Sequence, residues 1–66
     1  MNRLLKWLRH EHLPPHLQAV VKPIDALARE MDTALVEGAE KTAGMRKLVE
    51  AKDCFVRARI EQDEEA

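Results

Sequence analysis

Apolar residues recur along this chain in the three- and four-residue steps of amphipathic helices, with few β-branched or aromatic runs to suggest strands. Leu17, Val20, Val21, Ile24, Leu27, Ala28, Met31 and Leu35 share about 120° of a helical projection, while Lys22, Asp25, Arg29 and Thr33 lie outside it. This spacing predicts a helix over 15–36, beginning at Pro15 or His16. Pro23 falls inside it, removing one backbone donor and crowding the preceding turn, so a kink or a restart near Lys22 is expected. Glu37-Gly38 closes the run, with the glycine expected as a left-handed cap, and the chain then turns back.

The second helix is predicted over 39–62 and carries two apolar stripes. Gly44, Leu48, Ala51, Phe55 and Ala58 form the first; Met45, Val49, Val56 and Ile60 form the second, roughly 100° further round. Lys41, Lys52 and Arg59 run between them as a basic seam. One stripe has a partner available within the chain, whereas the other calls for a second chain or a ligand. Ahead of the hairpin, Leu4, Leu5 and Leu8 predict a short helix over 1–12 with Trp7 at its flank, stopped by Pro14 and Pro15. It reads as a docking element over the core; the competing reading is a segment lying on an anionic membrane surface. The fold expected is all-α: one domain, an antiparallel helical hairpin with a short N-terminal helix, and an acidic, frayed tail over 63–66.

Size and composition add to this picture. At 66 residues the chain buries little surface alone, and a single Cys54 allows no intrachain disulfide, so extra burial is expected from assembly as a homo-oligomer. The lone thiol fits a reducing, intracellular setting. Eleven Lys and Arg against twelve Asp and Glu argue against a duplex nucleic-acid partner. The leucines near the start are too broken by charge for a signal peptide and too few for a span, so no membrane partner is expected. The charge is uneven: Arg3, Lys6 and Arg9 stand among the first nine residues with no acid, and Glu61, Asp63, Glu64 and Glu65 crowd the end.

Catalytic patterns are missing. There is no Ser, no glycine-rich phosphate loop, and no Cys placed beside a His at motif spacing, so neither enzyme activity nor a cofactor is expected. His10, His12 and His16 do not match the zinc-protease spacing, and the prolines between the last two break a helical pairing; no metal is expected. Glu50 and Asp53 read as ion-pair partners of Arg46, Arg57 or Lys47. The start of the second helix is different. Ala39, Glu40, Lys41 and Thr42 offer backbone N–H groups, a cation and a hydroxyl, a combination that attracts anions. Assembly through the second stripe would let Lys41, Lys52 and Arg59 converge on a compact anion such as a phosphodiester. Against this, Thr42 serves equally as a cap and Lys41 as a solvated charge, and Glu40 as a dipole partner or an acceptor for a base edge.

The run Gly38-Ala39-Glu40-Lys41-Thr42, followed by Lys47-Leu48-Val49-Glu50-Ala51 and by Val56-Arg57-Ala58, resembles the helical hairpin of the small phage anti-CBASS proteins that sequester cyclic oligonucleotide messengers. A related hairpin occurs in phage anti-Thoeris sponges. The resemblance covers roughly Leu17 to Ile60. It implies a homo-oligomer, commonly a hexamer, holding cyclic dinucleotides between protomers and, in some members, cyclic trinucleotides in separate pockets, without catalysis. It implies ligand contact by Glu40, Lys41 and Thr42, with a guanidinium from Arg57 or Arg59 on phosphate. Ala39 stands where arginine is frequent, Asp53-Cys54 stands where aromatic residues often occur, and there is no Tyr; Trp7 is the expected replacement for stacking on a base. The function expected is therefore a viral anti-defence protein acting in the host cytoplasm, which binds cyclic di- or trinucleotides without cleaving them and so blocks CBASS-type signalling. The rival readings are an oligomeric protein-interaction module and a helix-turn-helix nucleic-acid binder using Arg46, Lys47 and Arg57.

Overall fold

The computed structural model describes residues 1–65, and Ala66 lies outside them. Three helical elements follow one another: a 3₁₀ helix at Arg3–Leu8, α1 at Pro15–Ala34 and α2 at Ala39–Glu65. The N-terminal element is shorter and tighter than the helix expected over 1–12. Its burial pattern gives the reason: Asn2, Leu5 and Leu8 are buried at intervals of three residues, the period at which 3₁₀ side chains eclipse. The Asn2 side chain caps it, accepting from the Leu4 N–H at 2.9 Å, and Arg9 leaves in an extended conformation.

Helix α1 starts with proline at its first position, where the missing N–H has no intrahelical partner in any case. It continues through Pro23 as one helix, so of the kink or restart expected near Lys22 the restart does not occur; Pro23 is exposed, with Val21 fully buried and Ile24 packed beside the core. It ends two residues before the helix expected over 15–36, at Ala34. Leu35 turns extended, and its N–H still closes onto the Met31 carbonyl at 3.0 Å. Gly38 is not the left-handed cap expected of it, because no glycine among the described residues has a positive φ. It instead starts α2, accepting the Thr42 N–H at 3.0 Å. Helix α2 also runs on to Glu65, past the fraying expected from 63. Asp63 is held there by Arg59 Nε at 3.1 Å, one turn back, and by His16 Nε2 at 3.5 Å.

The two long helices form a hairpin, and the 3₁₀ helix closes one of its sides. Leu5, Leu8, Ala28 and Met45 make the core, with Leu4, Ile24, Met31, Leu48 and Val49 packed around them. Ala28, fully buried, lets α1 and α2 approach closely. Leu8 is 1% exposed, and truncating such a side chain to alanine costs about 2–5 kcal/mol. The opposite side of the hairpin has no cover. Leu27 and Leu35 of the α1 stripe, with Gly44, Phe55 and Ala58 of α2, remain exposed there. Among the described residues, no helix is long and apolar enough to cross a membrane.

Candidate functional site

The basic seam of α2 is neutralised by the chain's own acids. Lys41 is the extreme case. Its ammonium, with a side chain only 6% exposed, lies 2.9 Å from Asp32 Oδ1 and 2.8 Å from Glu37 Oε1. It also donates to the main-chain carbonyls of Asp32 at 2.9 Å and Leu35 at 2.8 Å. Three protons thus face four acceptors, two of them carbonyls left open by the end of α1. The hydrogen bond to Glu37 foremost, with that to Asp32, raises the Lys41 pKa above the ordinary lysine range. The Asp32 carboxyl is held below its usual range, chiefly by Lys41 and further by the Asn2 N–H, which donates to it at 3.1 Å. Asn2 also donates from Nδ2 to Glu37 Oε2 at 3.2 Å. This polar node ties the N-terminus, the end of α1 and the start of α2 together, and it leaves the Lys41 ammonium no proton for an external phosphate.

The other two seam cations are paired as well. Lys52 Nζ lies 2.6 Å from Asp53 Oδ1, and Arg59 is held by Asp63. Glu40 is exposed and Thr42 half-buried at the hairpin end, apart from Trp7.

Three of the expected residues do converge. Trp7, Lys52 and Arg57 line a cleft of about 540 Å³ between the N-terminal segment and α2, joined by Lys6, Arg9, His12, Leu13, Asp53 and Val56. Local structure explains the convergence. Leu5 and Leu8, buried on one side of the 3₁₀ helix, leave Lys6 and Trp7 on the other; Trp7 is 56% exposed, with Lys6 Nζ 5.3 Å from its ring centroid. From α2, Lys52, Val56 and Arg57 project at helical spacing to form the facing wall. Asp53 pairs with its neighbour Lys52 and not with a cation one turn away. Lys6, Arg9 and Arg57 have no carboxylate within ion-pair distance among the described residues, although the Glu11 carboxyl, held below its usual range chiefly by its own backbone N–H, is lowered further by the Arg9 charge, and Arg57 lies 3.5 Å from Cys54 Sγ. The contribution of Lys6, Arg9 and His12 was not foreseen from the helical periods. The signal was present in the acid-free run Arg3, Lys6, Arg9, of which Lys6 within the 3₁₀ helix and Arg9 just beyond it reach the cleft.

A second concavity, of about 790 Å³, lies on the uncovered side of the hairpin near its turn. Its walls are apolar: Leu27, Met31, Leu35 and Val36 on one side, Gly44 and Leu48 on the other, with Glu37, Glu40 and Lys41 at its end. The two stripes of α2 do not divide cleanly into inner and outer: Met45 and Val49 of the second stripe pack inward, but so does Leu48 of the first, while Val56 of the second lines the Trp7 cleft and Ile60 is exposed beside Gly44, Phe55 and Ala58 of the first as uncovered positions. No cluster of His, Cys, Asp or Glu among the described residues is arranged to hold a metal ion.

Compared with known proteins, the chain matches no family model, no curated protein and no solved structure.

Proposed function

We propose that this protein binds cyclic di- or trinucleotide messengers and withholds them unchanged, as a phage anti-defence sponge acting in the host cytoplasm against CBASS-type signalling. The observation that carries this reading is the meeting of the Trp7 indole with Lys52 and Arg57 in one cleft that also holds the unpaired cations Lys6 and Arg9. An indole face accepts a base, and Arg forks match phosphate oxygens. The resemblance across Gly38 to Ala51 supplies the cyclic class of ligand. Acids bound the basic surface: Asp53 lies in the cleft and Glu61 stands one turn beyond Arg57, which suits a compact ligand better than a long strand. Binding without chemistry is mass action, so affinity and copy number set the effect.

The same reading includes self-association. The uncovered apolar side of the hairpin supports a homo-oligomer, with a hexamer as the size the resemblance implies. That apolar groove also favours one alternative, an interaction module whose partner is another protein's amphipathic helix.

Isothermal titration calorimetry with a panel of cyclic di- and trinucleotides and cyclic ADP-ribose isomers tests the proposal, with the mass in solution determined on the same sample. Saturable binding and recovery of intact ligand after denaturation are expected. A folded oligomer that gives no heat with any member of the panel would instead leave the interaction module standing.

A further inference from the structure

The cleft carries more information about its ligand than the proposed function uses. We infer that it recognises one base together with a terminal phosphate, so that linear nucleotides bearing a phosphomonoester bind at least as tightly as their cyclic counterparts. This inference rests on the reading of the cleft as a nucleotide site.

Two observations lead there. The first is the stacking surface. The chain holds one Trp, one Phe and no Tyr, and Phe55 belongs to the α2 stripe on the uncovered side, so Trp7 is the one large aromatic face in the cleft, with the smaller His12 imidazole beside it. The indole of one protomer can therefore cover one base. The second observation is the charge. Lys6, Arg9 and Arg57 stand in the cleft without carboxylate partners, and Lys52 is already matched by Asp53. A phosphodiester in a ring presents one negative charge to this group, whereas a phosphomonoester presents nearly two, together with a third terminal oxygen. The three unpaired cations come from two elements on either side of the opening, so a phosphate between them has donors on both sides. The cleft is open to solvent and reads a base–phosphate unit; no feature of it requires the ring to be closed. Ring-opened, 5′-phosphorylated dinucleotides, the product class of a phosphodiesterase acting on a cyclic messenger, are then ligands as well.

The test compares matched pairs on the intact chain. Calorimetry with 5′-AMP and 3′,5′-cyclic AMP holds the base constant and changes the phosphate; cyclic di-GMP and its ring-opened form pGpG do the same for the dinucleotide. One site per chain is expected, with 5′-AMP about fivefold tighter than cyclic AMP, the scale of one added charge contact near a solvated surface. pGpG should bind at least as tightly as cyclic di-GMP. Arg9→Ala with Arg57→Ala should erase the preference for the monoester, and Trp7→Ala should weaken every ligand, with Trp7→Phe restoring part of the loss. These side chains are exposed, so circular dichroism of each variant should match the parent. Binding of cyclic ligands with linear forms tenfold or more weaker would overturn the inference and leave the proposed function intact. Cyclic ligands held equally by the parent and the Trp7→Ala chain would overturn it too, by placing the site elsewhere. No binding by any ligand would overturn both.

Discussion

At the residue scale, the decisive side chain is Lys41, and its role is set by its neighbours. A lysine three residues into a helix reads as an anion ligand when only the sequence is considered, because the acids that capture it lie on the preceding helix and in the connection. Asp32 and Glu37 take its charge, and the carbonyls of Asp32 and Leu35 take its protons. Replacing Lys41 by Met should therefore lower the melting temperature, because Asp32 and Glu37 would be left unpaired beside open carbonyls, while nucleotide affinity at the Trp7 cleft stays near the parent value. Loss of affinity with unchanged stability would contradict this assignment. The node also sets a pH dependence. Asp32 has a lowered pKa, so its contribution is present above the ordinary carboxylate range near pH 4 and is lost as the pH falls through its lower folded value. Lys41 has a raised pKa; its contribution is present below about pH 10 and is lost as the pH rises through the higher folded value. Melting temperatures between these limits should show no step from this node, and a Lys41→Met chain should lose the alkaline step. Trp7 was a candidate from its type alone, and its half-exposed ring does line the cleft. The partners Lys6 and Arg9 were not, since Lys6 lies within a 3₁₀ helix and Arg9 just beyond it, where a search for α-helical spacing passes over them.

At the element scale, the helical hairpin was readable because the seven apolar positions from Leu17 to Met31 keep one phase across Pro23. The exact ends were less so. Leu35 and Val36 continue the apolar pattern but belong to the connection, where Lys41 draws the Leu35 carbonyl out of helical geometry's service and into the node. Equally, the acidic composition after Ile60 suggests fraying, whereas the structure continues the helix, with Asp63 paired to Arg59 one turn back and to His16 across the hairpin. Which α2 residues face inward was not decidable from periodicity, as both stripes satisfy it; the core of Leu5, Leu8 and Ala28 takes in Met45 and Val49 of one stripe and Leu48 of the other, and leaves Gly44 exposed. Gly44 gives this assignment a direct check. A Cβ there meets no atom within 4 Å, and its φ is not positive. Gly44→Ala should therefore stabilise the isolated hairpin by about 0.5–1 kcal/mol, read by urea denaturation, since alanine restricts the unfolded chain and favours helix. A destabilised variant would mean that something packs closely against this position.

At the scale of the whole molecule, two surfaces have different chemistry and lie on different sides of the hairpin: the basic cleft beside Trp7 and the apolar groove beside Leu27 and Leu35. On the proposed self-association, burying this groove would add to the stability of a chain this small. Leu27→Glu, on an exposed position, should reduce the mass measured by sedimentation without unfolding the protomer; an unchanged mass would remove this face from the assembly. The central claim concerns the cleft, and the only indole in the chain reports on it. The most direct measurement is the fluorescence of Trp7 during titration with cyclic di- and trinucleotides. Saturable quenching at one equivalent per chain, lost in the Arg9→Ala, Arg57→Ala chain, is the expected result. Tight calorimetric binding with no change in Trp7 emission would contradict it.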